Sequence, residues 1–191
     1  DVVFDQTGSN NPAITLVGAL QPDSMTVNAT KSYTLGGADT LGGPMALIKS
    51  GSGGLTLNTS NSFSGGITLN AGTITLGNIF GAGAGPIRFN GGTVTFAVGN
   101  QQTYGNALSV LTTGTIISAG GNNNIVSGAW SGSNTNTLNL SMATGTFTLA
   151  GNITGFSGTL ALGNSAGFLR FNGSSGSANT TFDLGTGTTT L

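Results

Sequence analysis

Five aspartates (Asp1, Asp5, Asp23, Asp39 and Asp183) and four basic residues (Lys31, Lys49, Arg88 and Arg170) are the charged side chains this sequence can put to chemical use, with no His, Glu or Cys beside them. Polysaccharide lyases and hydrolases work with clustered carboxylates, a base and often calcium. The grouping that could imitate them here is N-terminal: Asp1, Asp5 and Asp23, with Lys31 as the nearby base. Aspartates in a turn-rich stretch ordinarily bond to the backbone of their own turns, and that is the expected role of these three. A Ser–His pair is impossible without histidine, and a lysine base would need burial and a partner that nothing signals. The expectation is no catalysis and no cofactor.

Two glycine strings resemble ligand loops. Gly36-Gly37-Ala38-Asp39-Thr40-Leu41-Gly42-Gly43 is similar to the calcium-binding repeats of β-rolls, but it occurs once and offers one carboxylate where calcium takes about 6–8 oxygens. It reads as a turn, and no metal site is expected. Gly81-Ala82-Gly83-Ala84-Gly85-Pro86 has no lysine and no helix pattern after it, so it is a loop and not a phosphate cradle. Sugar rings stack on exposed aromatics, and the candidates for contact with a glycan are Trp130, Tyr104 and Tyr33. Most of the ten Phe residues fall at inward positions and read as core.

What would position these residues is a recurring strand. Leu55-Thr56-Leu57, Ile67-Thr68-Leu69 and Ile74-Thr75-Leu76 alternate apolar and polar, which sends every second side chain inward. Glycine- and asparagine-rich turns separate them. The pattern returns at a nearly constant interval, from Leu55 to Ile74, from Ile67 to Ile87 and from Ile74 to Val94. A unit of this length that cannot bury its apolar face alone must stack on its neighbours. The chain is therefore read as all-β, a right-handed parallel β-helix with coils of about 20 residues, forming one unit over residues 1–191. Leu55, Leu57, Ile67, Leu69, Ile74, Leu76, Ile87, Phe89, Val94 and Phe96 are predicted to be buried.

Further strands are expected at Val2-Val3-Phe4, Ala13 to Val17, Ser24 to Asn28 and Ser32 to Leu35, with a turn cluster over 8–12. The stretch from Gly105 to Trp130 is less regular, and 120–124 reads as a loop. Alternation resumes at Thr137 and runs through Phe147, Leu160, Phe168 and Phe182. The interval is slightly longer there, from Leu149 to Phe171 and from Leu160 to Phe182. About nine coils rising about 4.8 Å each predict a rod of about 45 Å.

Composition agrees. Of the 191 residues only 5% are charged, 37% are hydrophobic and 35 are glycine. A disordered tract would be poor in apolar residues, whereas here they fall at regular in–out positions. Stacked coils need few charges, because Asn and Thr pair with their counterparts above and below. The net charge of -1 gives no electrostatic footprint for nucleic acid or anionic lipid. The sequence holds no apolar run long enough for a membrane-spanning helix. Without cysteine there is neither a disulfide framework nor a thiolate metal site. Strand-like residues at both ends suggest a piece of a longer chain. Open solenoid ends expose unpaired strand edges, so end-to-end self-association is the expected oligomeric contact.

The run from Leu47 to Asn78 also resembles a known family. The order L-x-K-x-G-x-G-x-L-x-L, then N-x-[FY]-[ST]-G, then G-T-[IL]-x-[LV]-G is similar to the autotransporter-associated β-strand repeat. Here Lys49, Gly51, Gly53, Leu55, Leu57, Asn61, Phe63, Gly65, Gly72, Ile74, Leu76 and Gly77 carry it. A weaker second copy near Gly145 includes Leu149, Asn152, Phe156, Gly158, Leu160, Leu162 and Gly163, without the lysine. The resemblance implies a β-helical stalk in the passenger region of an exported bacterial protein and a part in passenger export. Asn61 is expected to bond to turn backbone and Phe63 to close a corner of the core.

Thr73-x-Thr75 and Thr93-x-Thr95 lie one coil apart and could stack into an outward ladder, as in ice-binding solenoids. Threonine is also simply a good solvent-facing strand residue, and Thr68 is followed one coil later by Arg88, which reads as an interruption. The function expected from the sequence is a non-enzymatic structural segment of a secreted or cell-surface protein, acting as a rigid spacer or adhesin stalk. A polysaccharide-binding module on the same scaffold is the alternative, and a lyase or hydrolase comes third.

Overall fold

A computed structural model describes residues 1–8, 13–99, 101–119, 123–163 and 167–172, and the backbone of 181–183. The turn expected over 9–12, most of the loop at 120–124 and the final run at 187–191 lie outside the described residues. Short strands repeat along the chain, every ladder between them is parallel, and no helix occurs among the described residues.

Three sheets run along the solenoid axis. The first stacks Val2–Phe4, Ser24–Asn28, Ala46–Ser50, Gly66–Leu69, Ile87–Phe89, Leu108–Val110, Trp130–Gly132 and Gly155–Phe156. The second stacks Ala13–Thr15, Tyr33–Gly36, Gly54–Leu57, Thr73–Leu76, Thr93–Phe96, Thr113–Ser118, Thr137–Met142, Thr159–Leu162 and Thr181–Asp183. The third, of Thr103–Tyr104, Asn124–Val126, Thr146–Leu149 and Phe168–Phe171, begins only midway. Before it, the third side of the coils is irregular chain and turn, over 16–23, 37–45, 58–65 and 77–86, with a parallel bridge between Leu20 and Leu41.

The register follows the sequence spacing. Leu55 pairs with Ile74, Ile67 with Ile87, Val94 with Ile74, Leu149 with Phe171 and Leu160 with Phe182. All ten residues predicted to be core are at most 1% exposed. Because coils stack in register, like sits on like: Leu35, Leu57, Leu76 and Phe96 form one inward column of the second sheet. Each such side chain contributes about 1.5–3 kcal/mol by leaving water.

The coils are spaced about 22 residues apart, slightly longer than the sequence spacing predicts. The shorter period belongs to the most regular coils, between Leu55 and Phe96. Elsewhere the turns are longer, as where Ser131 pairs with Gly155. Among the described residues, the nine stacked strands of the second sheet make eight rises, about 38 Å.

The irregular stretch contains ordinary coil. Strands Leu108–Val110, Thr113–Ser118 and Asn124–Val126 occupy it. Its alternation is hidden by Gly114, which takes an inward position in register with Leu138. A Cβ there would stand 2.5 Å from the ring of Phe89, so the phenylalanine of the coil below fills the space a side chain would need.

Candidate functional site: the buried lysine corner

The strand Ala46–Ser50 breaks the apolar rule at one inward position. Lys49 is in register with Val27 on one side and Leu69 on the other, and it is completely buried. Its stem packs as a leucine would, and its ammonium reaches the bend between the first and second sheets. There Nζ donates to the carbonyls of Ser50 at 2.8 Å, Gly51 at 2.9 Å and Ala71 at 3.3 Å. Three N–H groups meet three acceptors drawn from two successive coils. The charge is solvated by backbone dipoles instead of water, and burial pushes the ammonium below the usual lysine range.

The glycines of the repeat make this corner possible. Gly51 and Gly72 have φ of 72° and 74°, a left-handed conformation that side chains other than glycine's rarely adopt. A Cβ on Gly72 would lie 2.4 Å from the Gly53 carbonyl and 2.7 Å from Lys49 Nζ. One on Gly53 would lie 2.0 Å from the carbonyl of Lys31. The K-x-G-x-G run and the later glycine therefore form one device, a cation clamped by carbonyls where the chain turns. Outside the same bend an amide ladder ties the coils: Asn70 donates to Ser50 Oγ at 3.1 Å, and Asn90 donates to Asn70 at 3.0 Å.

The opposite bend is held by Asn61. Its Oδ1 accepts from the Leu41 amide at 3.0 Å and from Thr59 Oγ1 at 2.9 Å, while Nδ2 donates to the Gly81 carbonyl at 2.8 Å. It stitches the coil below, its own coil and the coil above. Phe63, two positions on, is fully buried, and the corner closes on it as expected. In the second, weaker copy Asn152 is exposed, and its side chain accepts from the amide and hydroxyl of Thr154 in its own turn. Two asparagines outside both copies also bridge coils: Asn106 donates to the carbonyls of Gly83 and Gly85, and Asn136 to that of Val110.

Replacing Lys49 with Met keeps the stem and removes the donors. Lys49→Met is expected to destabilise the fold by about 1–3 kcal/mol, because three inward carbonyls lose their partner. The pH dependence has a definite sign. With its folded pKa below the unfolded value, the unfolded chain binds more protons between the two, so this group's contribution rises as pH climbs through that window. Chemical denaturation of both proteins should show a rise in stability with pH just below the usual lysine range that Lys49→Met flattens, whereas at still higher pH the raised Tyr104 phenol lowers the stability of both. An unchanged midpoint at all pH values would contradict this role.

The three aromatics singled out for sugar contact do not face solvent. Trp130 is 2% exposed, Tyr104 1% and Tyr33 2%, so none offers a ring face to a ligand, and the assignment is corrected to core. Trp130 extends the inward column of Ile87 and Leu108 and meets Phe156 edge-on, with centroids 6.3 Å apart. Tyr104 packs 4.2 Å from the ring of Phe96, in register with Val126, and burial pushes its phenol up to about 12. Tyr33 pairs with Leu55, contacts the Phe4 ring and donates its hydroxyl to the Asp5 carbonyl. The spacing carried the signal: Trp130 follows Leu108 by the same interval as Leu55 follows Tyr33.

The N-terminal aspartates serve local structure. Asp5 accepts from both the hydroxyl and the amide of Thr7, and these bonds hold its carboxyl below the usual range. Asp1 accepts from Ser24 Oγ, and Lys31 donates to the Gly8 carbonyl. In the Gly36 to Gly43 string, Asp39 accepts the amide of Gly18 from the coil below. Among the described residues, no three of His, Cys, Asp and Glu come together as a metal centre. The 81–86 string is turn, with Gly83 at φ 67°.

Residues 47–76, which contain the lysine corner, Asn61 and Phe63, match the family model described as the passenger-associated-transport-repeat. No curated protein and no solved structure matches the chain.

Proposed function

We propose that this chain is a structural segment of an exported bacterial surface protein, a rigid spacer in its passenger whose repeat also assists export. The observation that carries this is how the matched residues are spent. Lys49, Asn61 and Phe63 are buried at the corners, and Gly51, Gly53 and Gly72 allow backbones to touch. Each of them closes a coil or joins it to the next, and none presents a group to a ligand. Such a segment extends by about 4.8 Å per coil and resists bending through its parallel ladders.

The same residues suit export. A coil that locks onto the one directly before it in the chain needs only short loop closures, so coils can add one at a time as a chain emerges. The repeat, with a lysine clamp at one corner and an asparagine stitch at the other, is a strong point from which stacking can propagate. The test is made in the bacterium that produces the full-length protein. Removing 47–76 there is expected to lower the passenger exposed at the cell surface, with the undelivered protein retained in the cell. Surface levels and protease resistance equal to those of the unaltered protein would refute the proposal.

A further inference from the structure

Threonine is not spread evenly over this solenoid. On the outer face of the second sheet, Thr34, Thr56, Thr75 and Thr95 stack in register as one column. Thr73, Thr93 and Thr115 stack as a second column beside it. Thr68 and Arg88, which read as an interruption of the ladder, belong to the first sheet and lie on a different face. The ladder is thus longer than the sequence suggested, and no charged residue enters it over these coils.

The first sheet serves as an internal control. Its outward column over the same four coils reads Thr26, Ile48, Thr68 and Arg88, and in the next coil both columns leave threonine, for Ser109 on the first sheet and Ile117 on the second. If threonine were present only because it suits a solvent-facing strand, both faces would carry it alike. They do not. The hydroxyls of the seven threonines on the second sheet make no side-chain hydrogen bond among the described residues, whereas Thr30, Thr59 and Thr154 elsewhere are engaged.

Unengaged hydroxyls and methyls therefore repeat in two directions over the coils of Thr73-x-Thr75 and Thr93-x-Thr95, about 4.8 Å apart along the axis and about 6.7 Å apart along each strand, and one column continues on either side, beside Gly54 and Ile117. Discrete ligands are held by convergent groups in a concavity, and this face is a sheet surface with its polar groups parallel. The complement of a two-dimensional lattice is a periodic solid. A crystalline glycan would call for exposed aromatic rings, and Tyr33, Tyr104 and Trp130 are buried. A charged mineral would call for charge, and the face has none over these coils. We infer that the threonine face of the second sheet binds ice, its hydroxyls and methyls ordering the water layer that joins the lattice.

The 191-residue chain provides the test, with thermal hysteresis and ice-crystal shaping as readouts. The unaltered chain is expected to shape ice crystals and hold a measurable hysteresis gap. The double variant Thr75→Lys, Thr95→Lys, substituted at outward positions, should keep the circular dichroism spectrum and lose most of that activity. Thr68→Lys, the same change on the first sheet, should retain it. Absence of shaping and hysteresis from the folded chain would overturn the inference. So would full activity in the double variant, or equal loss in Thr68→Lys.

Discussion

Gly53→Ala is expected to cost more than about 4 kcal/mol, enough to leave the central coils unfolded at ambient temperature, while Gly36→Ala changes stability by less than about 1 kcal/mol. The two glycines look alike in the sequence and differ in what lies across from them. At Gly53 an added Cβ meets the Lys31 carbonyl oxygen at 2.0 Å and its carbon at 2.6 Å, both backbone atoms of the coil below. Coils in a parallel ladder are fixed about 4.8 Å apart by their hydrogen bonds, and the Gly53 amide itself bonds to the Ala29 carbonyl at 2.9 Å. The clash can be relieved only by parting that ladder, which also opens the carbonyl cage of Lys49. At Gly36 nothing lies within 4 Å of the added atom, and the residue is in a strand. There alanine restricts the unfolded chain and adds no strain. Chemical denaturation of the two variants is the measurement. Near-equal stability would show that the coils separate more easily than their ladders imply.

Phe63→Ala should destabilise the chain by about 3–5 kcal/mol, because a fully buried ring is lost and a cavity is left in its place. The corner around it has little freedom to collapse. Its carbonyl accepts from Ala84 at 2.9 Å and from Gly85 at 3.3 Å, and a Cβ on Gly83 would lie 2.9 Å from the ring, so the next coil is packed directly on it. Phe80, in the neighbouring turn and 57% exposed, is the comparison: Phe80→Ala should cost less than about 1 kcal/mol. Thermal or denaturant unfolding of both variants would separate the roles, and a loss at Phe63 as small as at Phe80 would mean that the corner is held by Asn61 and the ladders alone.

Much of the architecture is legible along the chain, because a parallel solenoid turns vertical contact into fixed sequence separation. Alternation gives the face and recurrence gives the register, so Leu55, Ile74 and Val94 are identified as neighbours before any coordinate is known. The repeat motif likewise marks Lys49, Asn61 and Phe63 as belonging together. Its physical content is not legible, since an inward lysine violates the pattern and is rescued only by carbonyls from two coils that the bend brings to one point.

The aromatics and the threonines divide in the same way. Residue type suggested that Trp130, Tyr104 and Tyr33 face a ligand, but burial depends on which column each occupies, and all three stand in inward columns, with Leu108, Val126 and Leu55 respectively as neighbours. The sequence placed Thr73 and Thr93 one coil apart, yet only the division of each coil into separate sheets showed that Arg88 stands on another face. By itself the sequence determined the in–out pattern and the approximate pitch, because both are local periodicities of the backbone. The tertiary structure decided which side of the solenoid each outward residue takes and which carbonyls surround the lysine, because those depend on where the turns bend.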